Sequence, residues 1–250
     1  MVLEICVASA DDAQTAIDHG AQRLELNSAL SAGGLTPSLG LITQVRSLTK
    51  VPLVVMIRPR PAGFAYSAAE FKLMESEIDL ACEAGADGIA CAVLQDDGRI
   101  DRTRCHLLRQ LIGSREAVFH RAFDVTPDPV EALEQIIDLG FTRILTSGQQ
   151  PTAEAGSACI RLLHDNARDR IEILPGAGIN PSNARSILVS TGCSQLHASA
   201  RRYRADLSTR CRPEIHFGSA QEPEHSYSTT DGLLVRQLRA ILDASTTNRQ

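Results

Sequence analysis

No stretch of this 250-residue sequence comes near the ~20 consecutive apolar residues that a membrane-spanning helix needs. Met1 to Cys6 enter a strand-like pattern at once, with neither a basic leader region nor a cleavage site, so no secretory signal is expected and a cytosolic location is. Positive charge is not in excess either: the formal net charge is -5. A surface of that sign does not displace the counterions of nucleic acid, so no nucleic-acid partner is expected. Cysteine is present without any CxxC pair. The seven residues are Cys6, Cys82, Cys91, Cys105, Cys159, Cys193 and Cys211. An odd count at wide spacing argues against a disulfide scaffold and against a structural zinc site. Most of them read as small buried hydrophobes in a reducing compartment. Finally, no linker divides the chain, and residues 1–250 are expected to form one domain.

What is present is a strict alternation of two periodicities. Strand-like runs fall at Leu3–Val7, Arg23–Asn27, Leu53–Arg58, Gly88–Leu94, Ala117–Asp124, Arg143–Ser147, Ile171–Gly176 and Gln195–Ser199. Amphipathic stretches separate them, at Asp11–His19, Ser38–Leu48, Ala68–Ala84, Asp101–Ile112, Pro129–Leu139, Ala153–Asn166, Pro181–Val189 and Asp231–Leu242. Eight of each in this order predict an α/β protein, a single closed (β/α)8 TIM barrel. The punctuation agrees: Gly20, Gly85 and Gly140 each follow a helix and precede a strand, where a left-handed cap is wanted. One segment breaks the rhythm. Residues 201–230, opening Arg201-Arg-Tyr-Arg204, form a long loop before the last helix, either a lid or a solvated surface loop.

Side chains two apart share a strand face. Applied strand by strand, this rule puts Leu3, Ile5, Leu24, Leu26, Val55, Ile57, Phe119 and Leu196 on the helix-facing side. The inward side then carries Glu4 and Cys6, Glu25 and Asn27, Met56 and Arg58, His120 and Asp124, Ser147, Gly176, His197 and Ser199. Barrel enzymes draw their reacting groups from the C-terminal ends of several strands, and buried ionisable groups mark sites more often than scaffolds. The candidate catalytic set is therefore Glu4, Glu25, Arg58, His120, Asp124 and His197. Arg58 is expected to pair with Glu4 or Glu25, or to clamp an anion with two parallel hydrogen bonds. His120 and His197 are the candidates for proton transfer. Asp124 is expected to contact a loop or the ligand. Gly176 and Gly178, with Ser147 and Ser199, are the candidate anion-binding positions, because loops seven and eight commonly hold phosphate in barrels. The alternative is a structural ion network in the barrel mouth.

Several of these motifs resemble the copper homeostasis protein CutC family: Leu3-Glu-Ile-Cys6, Gly20-Ala-Gln-Arg-Leu-Glu-Leu26, Gly33-Gly-Leu-Thr-Pro-Ser38 and Met56-Ile-Arg-Pro-Arg60. Phe119-His-Arg-Ala-Phe-Asp124, Arg143-Ile-Leu-Thr-Ser-Gly148 and Gly176-Ala-Gly178 extend the likeness towards the C-terminus. The resemblance implies a barrel linked to copper tolerance and copper binding, located in the cytoplasm and tending to form homo-oligomers. It also implies a copper site of two inward cysteines ending the first two strands. Here the first is Cys6 but the second position is Asn27, a hard donor that suits Cu(I) poorly. Met56 is an inward sulfur that could serve a copper ion but reads first as core filler. Two functions therefore stand side by side: copper binding, and a barrel enzyme or binder for a small phosphorylated or carboxylated ligand.

Overall fold

Eight short parallel strands carry the centre of the computed structural model, which describes residues 1–215 and 225–247. They are β1 (Val2–Val7), β2 (Arg23–Leu26), β3 (Leu53–Met56), β4 (Gly88–Cys91), β5 (Glu116–Phe119), β6 (Arg143–Thr146), β7 (Glu172–Pro175) and β8 (Gln195–Ala198). The helices α1 (Ala10–Asp18), α2 (Leu39–Leu48), α3 (Ala68–Glu83), α4 (Arg102–Ile112), α5 (Pro129–Asp138), α6 (Ser157–Ala167) and α7 (Ala184–Thr191) fill the gaps between strands, and α8 (Gly232–Thr247) ends the round. Local chemistry starts them where expected. The Ser9 hydroxyl caps α1, Ser67 and Glu70 form a reciprocal capping box on α3, and Asp128 caps α5 with Pro129 in its first turn. Gly20, Gly85 and Gly140 all have positive φ, as the helix-glycine-strand repeat predicts.

Hydrogen-bonded neighbours run β7-β6-β5-β4-β3-β2-β1-β8, the order of a right-handed β/α barrel. The closure is less complete than the alternation suggests. Among the described residues no backbone ladder joins β7 to β8; instead the Gln195 side chain reaches the Ile173 carbonyl at 3.4 Å. The predicted strands are also too long at their C-terminal ends, since pairing stops at Met56, Cys91 and Phe119.

The barrel packs on two surfaces. Leu3, Ile5, Leu24, Leu26, Val55, Ile57, Phe119 and Leu196 belong to one large apolar cluster under the helices. Val54, Met56, Ala90, Val118, Leu145 and Leu174 form a smaller one that fills the inside from β3 round to β7. At the floor the buried Arg143 donates to Glu116 and Glu172, each at 2.7 Å. Polar groups instead occupy the inside of β8, β1 and β2. Between β8 and α8 the chain forms an antiparallel ribbon, β9 (Arg201–Ala205) with β10 (Ser226–Thr230), rather than an irregular loop. Its base is tied down by the Thr230 amide on Asp12 Oδ1 at 2.7 Å, while β9 itself is exposed along its length. Residues 216–224 of the expected lid lie outside the described residues.

Candidate functional site

Strand register decides which polar groups meet. β1 sets Glu4 beside Arg23 of β2 on one side and His197 of β8 on the other, and sets Cys6 beside Glu25. The Glu4 carboxylate accepts from Arg23 Nε and sits 2.7 Å from His197 Nδ1. Burial alone would raise the Glu4 carboxyl, but Arg23 and His197 overcome it and hold it at about 2. Burial likewise opposes charge on His197, yet Glu25, Cys6 and Glu4 together raise its pKa well above that of an ordinary imidazole. Glu25, buried and close to Glu4, is pushed up. Cys6 is pushed up by burial too, against the pull of His197.

Asn27 completes this cluster. Its Nδ2 donates to Glu25 Oε2 at 2.9 Å and lies 3.3 Å from Cys6 Sγ. The ligand atoms of Cys6, Glu25 and His197 all lie within 4.8 Å of one another. With His197 Nδ1 turned to Glu4, its Nε2 remains for the cluster, 3.9 Å from Glu25 Oε2. A carboxylate behind a histidine is the usual second layer of a metal centre. The donors are one soft thiol, one imidazole and one hard carboxylate, a mixed set that fits Cu(II) or Zn(II) at least as well as Cu(I). The two-cysteine site is absent, because the amide nitrogen that Asn27 turns towards Cys6 has no lone pair to offer.

This cluster opens on a cavity of about 400 Å³ at the C-terminal rim, whose wall includes Cys6, Glu25, Asn27, Met56, Arg58, Phe64, His120, Gly178, His197, Ser199 and Arg201. Other expectations are corrected. Arg58 pairs with neither Glu4 nor Glu25. Its Nη1 donates to the carbonyls of Ala32 and Gly34 at 3.1 and 3.2 Å, and its Nη2 to Ala62 at 2.6 Å. A two-pronged clamp is therefore spent on the backbone of the loops after β2 and β3.

Asp124 does not follow His120 along a strand, because β5 ends at Phe119 and residues 121–125 form a 3-10 turn. Its carboxylate accepts from Thr146 Oγ1 at 2.5 Å and from the Ser147 amide at 3.0 Å, and it pairs with Arg121. Asp124 and Ser147 thus lock the 3-10 turn to the end of β6, away from the cavity wall. Gly176 is off the wall as well: a Cβ there would lie 2.6 Å from Leu145 Cδ1, so the glycine serves packing. Glu4 is behind the wall, acting on it through His197.

Two contributors escaped sequence reasoning. Arg23 shares the inward face of Glu25 and Asn27, so the period-two rule extended one step back would have found it. Phe64, on the loop after β3, carries no such signal.

A β/α barrel with a polar pocket at the C-terminal ends of its strands belongs to the TIM-barrel class. Phosphoribosylanthranilate isomerase from Thermotoga maritima shares the fold, with a TM-score of 0.57 at 13% identity over 98% of this chain and 100% of that one. Within that class the chain belongs to the CutC family, whose profile matches residues 1–202. A CutC family protein of Treponema denticola is 47% identical over 92% of this chain and 94% of its own length. The human copper homeostasis protein cutC homolog is 40% identical over 96% of this chain and 88% of its own. The crystal structure of a CutC protein from Streptococcus agalactiae aligns with a TM-score of 0.76 at 32% identity, covering 80% of this chain and 98% of that one.

Proposed function

We propose that this protein serves copper homeostasis by binding a copper ion in the mouth pocket through Cys6, Glu25 and His197. The carrying observation is the convergence of their three ligand atoms within 4.8 Å, in a family whose human and mouse members bear the copper homeostasis name. Glu4 orients His197, and Arg23 compensates the charge of Glu4. On this reading residues 1–250 act as one domain in the cytosol. No helix among the described residues is long and apolar enough to cross a membrane. Self-association is proposed on the family resemblance.

The test is native mass spectrometry with metal analysis of the purified protein, followed by copper titration against a competing chelator. One copper per chain is expected, lost in both Cys6→Ser and His197→Ala. Copper uptake that survives both substitutions would refute the site.

A second reading, a binder or enzyme for a small phosphorylated or carboxylated ligand, is favoured by Arg58, Gly178 and Ser199 on the same cavity wall. Ligand and ion would then share one mouth.

A further inference from the structure

Arg58 is 7% exposed, and among the described residues no carboxylate pairs with it. Taking a guanidinium out of water without a counter-ion is costly, and a fold that tolerates it leaves a place for an anion. Both Nη groups are spent on carbonyls, while Nε is buried without a partner.

A second orphan lies beside it. His120 is 2% exposed, and its Nε2 is also buried without a partner. Its Nδ1 accepts the Ala122 amide at 3.2 Å, which places the ring proton on Nε2 as a donor. Burial and the charge of Arg58 hold this imidazole neutral, with a pKa near 3. An unmade hydrogen bond on a buried donor costs about 1–3 kcal/mol. With the Tyr66 hydroxyl also unpartnered beside Arg58, an acceptor is called for, and His120 Nε2–H and Arg58 Nε–H are the pair that could share it. One ring covers both: Phe64 lies 5.1 Å from the His120 ring and 5.0 Å from Arg58 Cζ, and is itself only partly buried.

We infer that the mouth holds a carboxylate subsite beneath Phe64, in which a small organic acid places its oxygens on His120 Nε2–H and Arg58 Nε–H. The inference rests on the second reading above and gives it a ligand class and an anchoring pair. A single negative charge shared by two oxygens matches one fixed cation and one neutral donor. Arg121 and Arg201 also line the cavity, so phosphate is carried through the experiment as the competing anion. The subsite opens when Phe64 swings aside, and it faces the Cys6, Glu25 and His197 cluster across the cavity.

The experiment is a thermal melt at pH 7 of the wild type, His120→Phe and His120→Gln, each with increasing acetate, pyruvate or inorganic phosphate at constant ionic strength. Acetate or pyruvate is expected to raise the wild-type midpoint saturably. His120→Phe removes the orphaned donor but also strands the Ala122 amide that Nδ1 accepts, so its own probe-free midpoint is the baseline, and from that baseline it should lose the rise. His120→Gln, which keeps a side-chain N–H, should retain part of it. A carboxylate rise that persists undiminished in His120→Phe, or no saturable rise in the wild type, would overturn the subsite. A phosphate rise that survives His120→Phe, without one from the carboxylates, would overturn it while sparing the acidic-ligand reading. Copper uptake measured without any carboxylate is expected to be unchanged in His120→Phe, so loss of the metal site and loss of the subsite read out separately.

Discussion

Replacing Arg23 by Met tests whether the polar half of the barrel is organised around Glu4. The carboxyl of Glu4 is held at about 2 against an ordinary 4.5, and the residue is 2% exposed. At roughly 1.4 kcal/mol per pH unit, that is worth about 3 kcal/mol of folding free energy. The sign follows from the depressed pKa: the stabilisation is complete above pH 4.5 and is lost as pH falls towards 2. Removing one partner of a buried pair costs roughly 3–5 kcal/mol, so Arg23→Met should lose about that much at pH 7. Its deficit relative to wild type should shrink between pH 4.5 and 2, where the carboxylate takes up its proton. Arg58→Met is the control. It gives up hydrogen bonds to three carbonyls and the charge that helps depress His120, so the pH dependence of its deficit should follow His120 rather than Glu4. Urea unfolding of both variants at pH 7, 4.5 and 3 supplies the comparison. If the Arg23→Met deficit stays constant between pH 4.5 and 3, Arg23 does not hold the Glu4 carboxylate and the network is wrong.

Asn27→Cys puts a thiol where an amide now faces Cys6 Sγ at 3.3 Å, and Cu(I) affinity should rise above wild type in a chelator competition, since thiolate is the softer ligand; equal affinity would mean that Cys6 does not hold the ion. His120→Phe should also flatten the acid side of the stability profile. In the wild type the unfolded imidazole protonates near 6.5 and the folded one near 3, so folding loses up to about 3 kcal/mol between pH 6.5 and 4.5, a loss the variant should not show in urea midpoints at the two pH values.

Periodicity made the barrel legible because a parallel strand buried on both faces and a helix buried on one leave different patterns. The same rule placed Glu4, Cys6, Glu25 and His197 on inward registers, because within a paired strand alternation is geometric, and its continuation past the strand ends put Asn27, Arg58 and His120 on the cavity wall. It failed at Asp124, where the strand had already ended and the His120 ring capped a 3-10 turn. It could not assign partners either. Whether Glu4 meets Arg23 or Arg58 depends on the stagger between neighbouring strands, and β1 sets Glu4 level with Arg23, whereas Arg58 lies two residues beyond the end of β3. Phe64 and the ribbon of β9 and β10 were illegible for another reason: their places follow from tertiary packing and long-range pairing, which leave no local period.

The inside of the barrel is divided by sign, and that division links the two proposed uses of the mouth. Carboxylates gather on β1 and β2, where Glu4 is compensated by Arg23 from below and by His197 from the side, leaving Glu25 as the acid nearest the cavity. Across the cavity, the loops after β3 and β5 present Arg58 and His120; among the described residues no carboxylate pairs with either, since Asp124 is taken up by Arg121, Thr146 and Ser147. Between the two lies the apolar filling of Val54, Met56, Val118 and Leu145, a medium of low polarity in which charges act strongly on one another. A cation on the first side and a carboxylate on the second would each lower the cost of binding the other. A mouth built only as a structural ion network would have no reason to keep a buried arginine and an orphaned imidazole that no carboxylate among the described residues meets.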